Sequence, residues 1–324
     1  MRRVNLNFLG SKHTLGPLLR STIVDEYGNL SSLSLLDAFF GAGGFTVHLH
    51  DLFKDLYLND QELFSFAIAQ AMFTKALDYF EVEPLDTDGY ITKTYCIDRM
   101  YFSPDNGRYV DGFRAWAKAQ PESASRWAAI GDLISAIDRC KNSASQYGAF
   151  LKKRKASSLE PIDMQSLYLG HEDGNVSIML GDATKAALEA SEDTLVYLDP
   201  PYTSRPYGSN FFPLNVIADV DHDPEVKGVT GVPVSGWNRS RWNNPAGALS
   251  ELTKILKGTK AKRLVLSYST DGLMKTEAII KAFNENGWNV KLKKIDQKRF
   301  KSHDKGVQNE SELAELLFLG RKSQ

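Results

Sequence analysis

The chain has 324 residues, with 39 Lys and Arg against 40 Asp and Glu, for a net charge of -1. Its 42% hydrophobic and 24% charged residues are ordinary globular values, which excludes a disordered or collagen-like chain. The length allows one large domain with an insertion, or two domains, and the neutral balance leaves any phosphate binding to local basic clusters.

The two cysteines, Cys96 and Cys140, lack the paired spacing of a disulfide scaffold or a zinc site, and they suit a reducing cytosol. The six histidines form no HExxH-like pattern, so no metal is expected. No apolar run approaches the roughly 20 residues that span a bilayer. Met1-Arg2-Arg3-Val4-Asn5 does not lead into an apolar stretch, so a secretory signal is not expected.

Asn7-Phe8-Leu9-Gly10-Ser11-Lys12 opens the chain, and Leu15, Leu18 and Leu19 follow at helical spacing. Ser11 is a candidate helix cap, which would put Lys12 in the first helical turn, where the helix dipole disfavours a cation. A charge in that place hints at a carboxylate or ligand partner. Leu33-Ser34-Leu35-Leu36-Asp37 reads as a buried strand, followed by the turn Ala38-Phe39-Phe40-Gly41-Ala42-Gly43-Gly44 and a helical run through Val47, Leu49 and Leu52. Strand, glycine turn and helix make the nucleotide-binding half of a βαβ unit. The GxGxxG fingerprint is not met, because Thr46 stands in the third glycine's place, and no phosphate-binding lysine follows. The next strand, Asp55-Leu56-Tyr57-Leu58-Asn59-Asp60, ends in an acid about twenty residues beyond the glycines, where a carboxylate grips ribose hydroxyls or caps the following helix, Leu63 to Phe73.

Between residues 75 and 170 the α/β alternation is lost. Aromatic residues are frequent, and helical periodicity is visible in Phe113 to Ala117 and in Trp127 to Ile137. The region reads as an inserted, mainly helical subdomain, with Lys152-Lys153-Arg154-Lys155 at its edge as a candidate phosphate contact. Val176 to Leu180 resumes the strand pattern, ending in Gly181-Asp182. Asp182 is a candidate acceptor from an adenine amino group, or an N-cap.

Leu195-Val196-Tyr197-Leu198-Asp199-Pro200-Pro201-Tyr202 then runs from an apolar strand into an acid, two prolines and an aromatic. Proline lacks the N–H that a central strand needs, so the strand stops and a rigid turn presents Asp199 and Tyr202 at its carboxyl end. A ring-conjugated amine is a poor nucleophile, because its lone pair is delocalised. A carboxylate and a proline carbonyl that accept its N–H bonds draw the nitrogen toward a tetrahedral state, and a tyrosine face offers stacking for a flipped base.

Residues 203–247 read as a long irregular segment, a lid or binding loop, with Arg205, Tyr207, Trp237, Arg239 and Trp242 suited to phosphate and base contact. A helix at Leu252 to Leu256, a strand at Arg263 to Ser269 and a helix at Leu273 to Phe283 follow. Trp288 to Ile295 and Leu313 to Leu319 read as an antiparallel pair that closes the sheet, joined by a basic stretch that contains Lys298 and Arg299.

In this order the motifs resemble the Dam-like, alpha-group adenine-N6 DNA methyltransferases. Phe8-Leu9-Gly10-Ser11-Lys12 is similar to the lysine-bearing first motif, with Phe8 where tryptophan is common. Asp37 to Gly43 is similar to the FxGxG cofactor loop, Asp60 and Gly181-Asp182 to its following motifs, and Asp199-Pro200-Pro201-Tyr202 is the DPPY motif in full. The resemblance implies an α/β fold, a Rossmann-like class I methyltransferase sheet that is mostly parallel with an antiparallel C-terminal strand. It implies a catalytic domain of residues 1–74 and 171–324, with residues 75–170 as an inserted helical target-recognition subdomain. The implied cofactor is S-adenosylmethionine, held by Phe8, Lys12, Asp60 and Asp199, with Asp37, Phe40, Gly41 and Gly43 forming the turn beneath its methionine part and Asp182 on its adenine. Asp199, Pro200, Pro201 and Tyr202 would be catalytic, with no metal. Lys152, Lys153, Arg154, Lys155, Arg205, Arg239, Lys298 and Arg299 would contact DNA. The implied partner is double-stranded DNA, with no membrane, for a cytoplasmic monomer or weak dimer that works either beside a cognate restriction endonuclease or as a solitary methylase of phage or host. The residues leave open N4 of cytosine in DNA, N6 of adenine in RNA, and a catalytically silent DNA-binding protein.

Overall fold

The computed structural model describes residues 12–144, 146–172, 174–235, 239–296 and 314–323. Phe8, Trp237, Lys298 and Arg299 lie outside the described residues.

Alternation along the strands sorts apolar side chains to two faces, and that builds the molecule. Strands β1 (Ser34–Asp37), β2 (Asp55–Asp60), β3 (Val176–Leu180), β4 (Thr194–Leu198), β7 (Arg263–Ser269), β8 (Trp288–Asp296) and β9 (Ala314–Lys322) form one sheet in the order β3-β2-β1-β4-β7-β9-β8. The first five are parallel; β9 runs antiparallel to both β7 and β8. This is the Rossmann-like methyltransferase sheet that the resemblance implies. Leu35, Leu195, Tyr197, Val265, Leu317 and Leu319 enter the core on one face. Their neighbours Leu36, Val196, Leu198, Leu264, Leu266, Leu316 and Phe318 enter the core on the other, as period-two geometry requires.

Helices α6 (Ala183–Glu189), α8 (Pro245–Gly258) and α9 (Thr276–Glu285) cover the second face. The first face carries α1 (Gly16–Tyr27), the short α2 (Thr46–Leu49), α3 (Leu63–Phe73) and the insertion. The insertion has a π-helical turn at Thr92–Ile97, then α4 (Pro104–Ala119) and α5 (Ala124–Arg139), with Ser103 and Ser123 capping the two helices. Helix α5 lies directly on α3: a Cβ at Gly131 would fall 2.1 Å from the Ala67 carbonyl oxygen, so only glycine permits that approach.

Three expectations are corrected. Helix α1 begins at Gly16, so Lys12 lies ahead of it and not in its first turn, in a turn where the Lys12 carbonyl accepts the Leu15 N–H. The α-helices of the insertion end at Arg139, and beyond it the described residues hold only a 3-10 turn at Ala156–Ser158. Over the described residues from 140 to 170, a bridge between Ser143 and Phe150, scattered backbone bonds and side chains hold the chain in place of a regular ladder. Asn142 donates to the Met100 and Leu151 carbonyls and accepts from the Lys155 N–H, while Arg154 donates to the Phe102 and Cys96 carbonyls. The segment 203–247 is not an irregular lid. It contains helix α7 (Gly208–Ala218), a two-stranded hairpin of β5 (Val226–Lys227) and β6 (Val232–Pro233), and a 3-10 turn at Arg241–Asn243. Phe211, Phe212, Leu214, Val216, Ile217 and Ala218 are all buried. A helix apolar on every face has no 3.6-residue signature, and Pro213 inside it reads as a breaker. Arg114 and Arg126 of the insertion bind Asp223 and Asp221 beyond α7, so that segment is tied to the insertion.

Candidate active site

The strand order reverses between β1 and β4, and ligands bind at the carboxyl edge of such a switch point. Strand β1 delivers the glycine turn there, and β4 delivers Asp199. Between them opens a cavity of about 490 Å³. Its apolar wall includes Phe39, Phe40, Phe45 and Ala183; its polar wall includes Lys12, Asp37, Asp60, Glu62, Asp182, Asp199 and Glu315.

The glycine turn is built for close approach. Gly41 and Gly43 have φ of 58° and 74°, which L side chains rarely adopt, and a Cβ at Gly43 would meet the Phe40 ring at 2.8 Å. Asp60 holds the turn in place: one oxygen accepts the Gly41 N–H at 2.8 Å, the other the Glu62 N–H at 2.9 Å. The N-cap position of α3 falls on Glu62, so Asp60 is not the cap. Burial pushes Asp60 up to about 6, against the lowering effect of those N–H bonds. Asp37 accepts the Thr46 hydroxyl at 2.6 Å, and burial pushes it up to about 7. Asp182 caps α6 by accepting the Lys185 N–H, while also lining the cavity.

Buried acids with raised pKa hold their protons to a higher pH in the folded chain than in the unfolded one. Their contribution to stability is therefore full below the ordinary carboxyl value of 3.8 and is lost as pH rises through about 6 and 7. Asp37→Asn keeps an acceptor for Thr46 and removes one titration. The Tm difference between variant and wild type, without ligand, is expected to move in the variant's favour from pH 4 to pH 7. A pH-independent difference would remove Asp37 from the linkage.

The Asp199 turn is a charge cluster. The Lys12 ammonium donates to Asp199 Oδ1 at 2.9 Å and Oδ2 at 2.7 Å, and to the Tyr202 hydroxyl at 2.7 Å. The Tyr202 hydroxyl in turn lies 2.6 Å from Asp199 Oδ1 and 2.9 Å from Glu315 Oε1. Burial would lower Lys12, but the charges of Asp199 and Glu315 outweigh it and hold the ammonium above its usual range. Burial, with Asp199 and Glu315 beside it, puts the Tyr202 phenol well above its ordinary value, so it stays protonated. The Tyr202 ring packs edge-to-face on Tyr268, 5.1 Å between centroids.

The structure thus brings together Lys12, Asp37, Phe40, Gly41, Asp60, Asp182, Asp199, Pro200, Pro201 and Tyr202 at one cavity. The basic residues expected at DNA divide. Lys152, Lys153, Arg205 and Arg239 are exposed. The Arg205 guanidinium lies against Gly148, a few residues before the lysine pair, and donates to Ser209. Arg154 is half-buried and turned inward to two carbonyls, so it is committed to the insertion and not to solvent; Lys155 is half-buried. Sequence reasoning missed Glu62, Asn59 and Glu315. Asn59 ties the ends of β1 and β3 by donating to the Ala38 and Gly181 carbonyls. Glu315 had a signal, an acid within the apolar run Ala314 to Leu319.

Among the described residues no helix is long and apolar enough to cross a membrane, and no group of three or more His, Cys, Asp or Glu side chains is arranged to hold a metal. Residues 8–299 match the family model of the D12 class N6 adenine-specific DNA methyltransferases. The chain is 29% identical to the type II methyltransferase M.NlaIII of Neisseria lactamica over 92% of this chain and 93% of that protein. It is 28% identical to the type II methyltransferase M.CviAII of Paramecium bursaria Chlorella virus 1, over 80% and 81%. It is 26% identical to the modification methylase StsI of Streptococcus sanguinis, over 97% of this chain and 51% of that protein. The chain belongs to the D12 class of N6 adenine-specific DNA methyltransferases and is a sequence-specific DNA methyltransferase.

Proposed function

We propose that this methyltransferase uses S-adenosylmethionine and the Asp199 turn to methylate N6 of an adenine flipped out of duplex DNA. The observation that carries this reading is the adjacency of the glycine turn and the Asp199-Pro200-Pro201-Tyr202 turn at one cavity. The cavity fits a charged nucleoside donor. Asp37 and Glu62, both lining it, each carry a buried oxygen with no hydrogen-bond partner among the described residues, Oδ1 and Oε1 respectively. Such atoms are costly to bury unless a ligand satisfies them.

When bound, S-adenosylmethionine supplies a methyl group activated by a positively charged sulfur. Gly41, which lines the cavity, would leave backbone space for its amino-acid part, while Gly43 does not line it and instead makes room for Phe40 and Met72; Asp60, held by two N–H groups, would keep lone pairs for ribose hydroxyls. Asp182, which lines the cavity, would take the adenine end, and Phe39, Phe40 and Phe45 line the apolar wall. Asp199 and the Pro200 carbonyl accept the two hydrogens of the target amine. They would turn the nitrogen's lone pair toward the methyl carbon; as the nitrogen–carbon bond formed, the sulfur–carbon bond would break to leave a neutral thioether, and Asp199 would receive the proton lost from the nitrogen. Tyr202 supports the flipped base by its ring.

Residues 75–170, with Arg205 and Arg239, are read as the DNA-facing part, and the exposed Lys152 and Lys153 as phosphate contacts. Lys152→Ala with Lys153→Ala is expected to weaken duplex binding and lower the salt slope, the log–log dependence of affinity on salt, by about 1 to 2. An unchanged slope in a filter-binding titration would assign the pair to bulk solvent. A restriction endonuclease partner, a monomer or weak dimer, and a cytoplasmic location complete this reading. The test of the reading is transfer of tritium from labelled S-adenosylmethionine into unmodified duplex DNA. Incorporation is expected, and its absence with folded protein would contradict the donor.

A further inference from the structure

We propose that Glu315 is a positioning residue that keeps Asp199 free to accept from the target amine, by taking over Lys12 and the Tyr202 hydroxyl proton. This rests on the reading of Asp199 given above. The difficulty it resolves is geometric. Both Asp199 oxygens already receive the Lys12 ammonium, and Oδ1 lies within reach of the Tyr202 hydroxyl as well. An acceptor so occupied competes poorly for an aromatic amine.

Glu315 stands ready as the second acceptor. Its Oε1 lies 3.4 Å from the Lys12 ammonium and 2.9 Å from the Tyr202 hydroxyl, against 2.7 Å and 2.6 Å for Asp199. Displacements of less than 1 Å exchange one partner for the other. A phenol has one proton, so donation to Glu315 and donation to Asp199 are alternatives. Ser267 donates to the same Glu315 oxygen and fixes the carboxylate from the β7 side.

A purely structural role does not account for this acid. Glu315 is 3% exposed and sits one residue into β9, directly before the apolar run Leu-Leu-Phe-Leu. Lys12 already has Asp199 as its nearer carboxylate, at 2.7 Å against 3.4 Å, so balancing the buried ammonium does not require a second acid. With two carboxylates around one ammonium, the cluster can lend its cation to either acid. Removing Glu315 leaves Lys12 with Asp199 as its carboxylate partner in this cluster.

The test is Glu315→Gln, isosteric and still able to accept from Ser267. Tritium transfer to unmodified bulk DNA gives kcat and the KM for DNA, and calorimetry gives the Kd for S-adenosylmethionine. The expected result is a kcat lower by about ten-fold or more, with Kd and KM within about three-fold of wild type. A kcat within about two-fold of wild type, or a Kd that worsens in parallel with kcat, overturns the proposal. If Glu315→Gln fails to fold, Ser267→Ala decides. It loosens the Glu315 carboxylate and is expected to lower kcat by about two- to five-fold at unchanged Kd, and an unchanged kcat overturns the proposal. Asp199→Ala, run alongside, separates the failures. If it stays active, the reading of Asp199 is wrong; if it is dead while Glu315→Gln matches wild type, only the role of Glu315 is wrong.

Discussion

Asp199→Ala is expected to lower methyl transfer by at least about 10³-fold while duplex binding stays within about three-fold of wild type. The asymmetry follows from where the residue sits. Asp199 lies at the end of β4, beyond the buried run Thr194–Leu198, so losing its carboxylate removes no strand hydrogen bond and no core side chain. Its removal also leaves Lys12 beside Glu315 at 3.4 Å, a pair with no net charge. The fold therefore keeps its balance, and on the proposed role of Asp199 the loss is confined to the acceptor of the amine. The DNA contacts proposed for residues 75–170 and Arg205 would be untouched. Single-turnover transfer and a binding titration on the same preparation check this. Full activity in the variant would take Asp199 out of the mechanism.

Lys12→Met is expected to behave differently, losing stability as well as activity. Lys12 is 3% exposed, and its ammonium lies between Asp199 and Glu315. Methionine matches its bulk but leaves two carboxylates facing each other. Breaking a buried pair from one side destabilises by about 3–5 kcal/mol, and the lower end applies here because the Asp199 side chain is 17% exposed. One of the two acids escapes the repulsion by keeping a proton, and burial already raises Glu315. The sign is then fixed. The acid's folded pKa is raised, so the deficit is smallest at low pH and grows as pH rises through that raised value. Denaturant unfolding of variant and wild type at several pH values measures it. A deficit below about 1 kcal/mol that is flat with pH would mean that solvent replaces Lys12.

The framework was legible where side-chain periodicity and turn chemistry agree. The strands ending in Asp37, Asp60, Gly181 and Asp199 announce themselves by an apolar run stopped by an acid, glycine or proline. Those ends are the ones that meet at the cavity. Helix α3 was likewise expected from Leu63 to Phe73, where the structure has it. Helix α7 was not legible, because it is buried on every side and carries Pro213, so neither the period nor the breaker rule could reveal it.

Within the candidate site Asp37, Asp60, Asp182 and Asp199 were legible, Glu62 and Glu315 were not, and neither were the partners that any of them meets. Lys12 and Asp199 are 187 residues apart in sequence, and nothing local signals that the ammonium meets that carboxylate. Arg154 is part of a basic run that reads as one patch, but its guanidinium is spent on two carbonyls inside the insertion. Charge in a sequence does not say which way a side chain turns.

The most direct measurement takes DNA from cells that express the chain, digests it to nucleosides and identifies the modified base. The account predicts N6-methyladenine with the wild-type chain and none with Asp199→Ala. N4-methylcytosine, or N6-methyladenine that persists in the Asp199 variant, would contradict it.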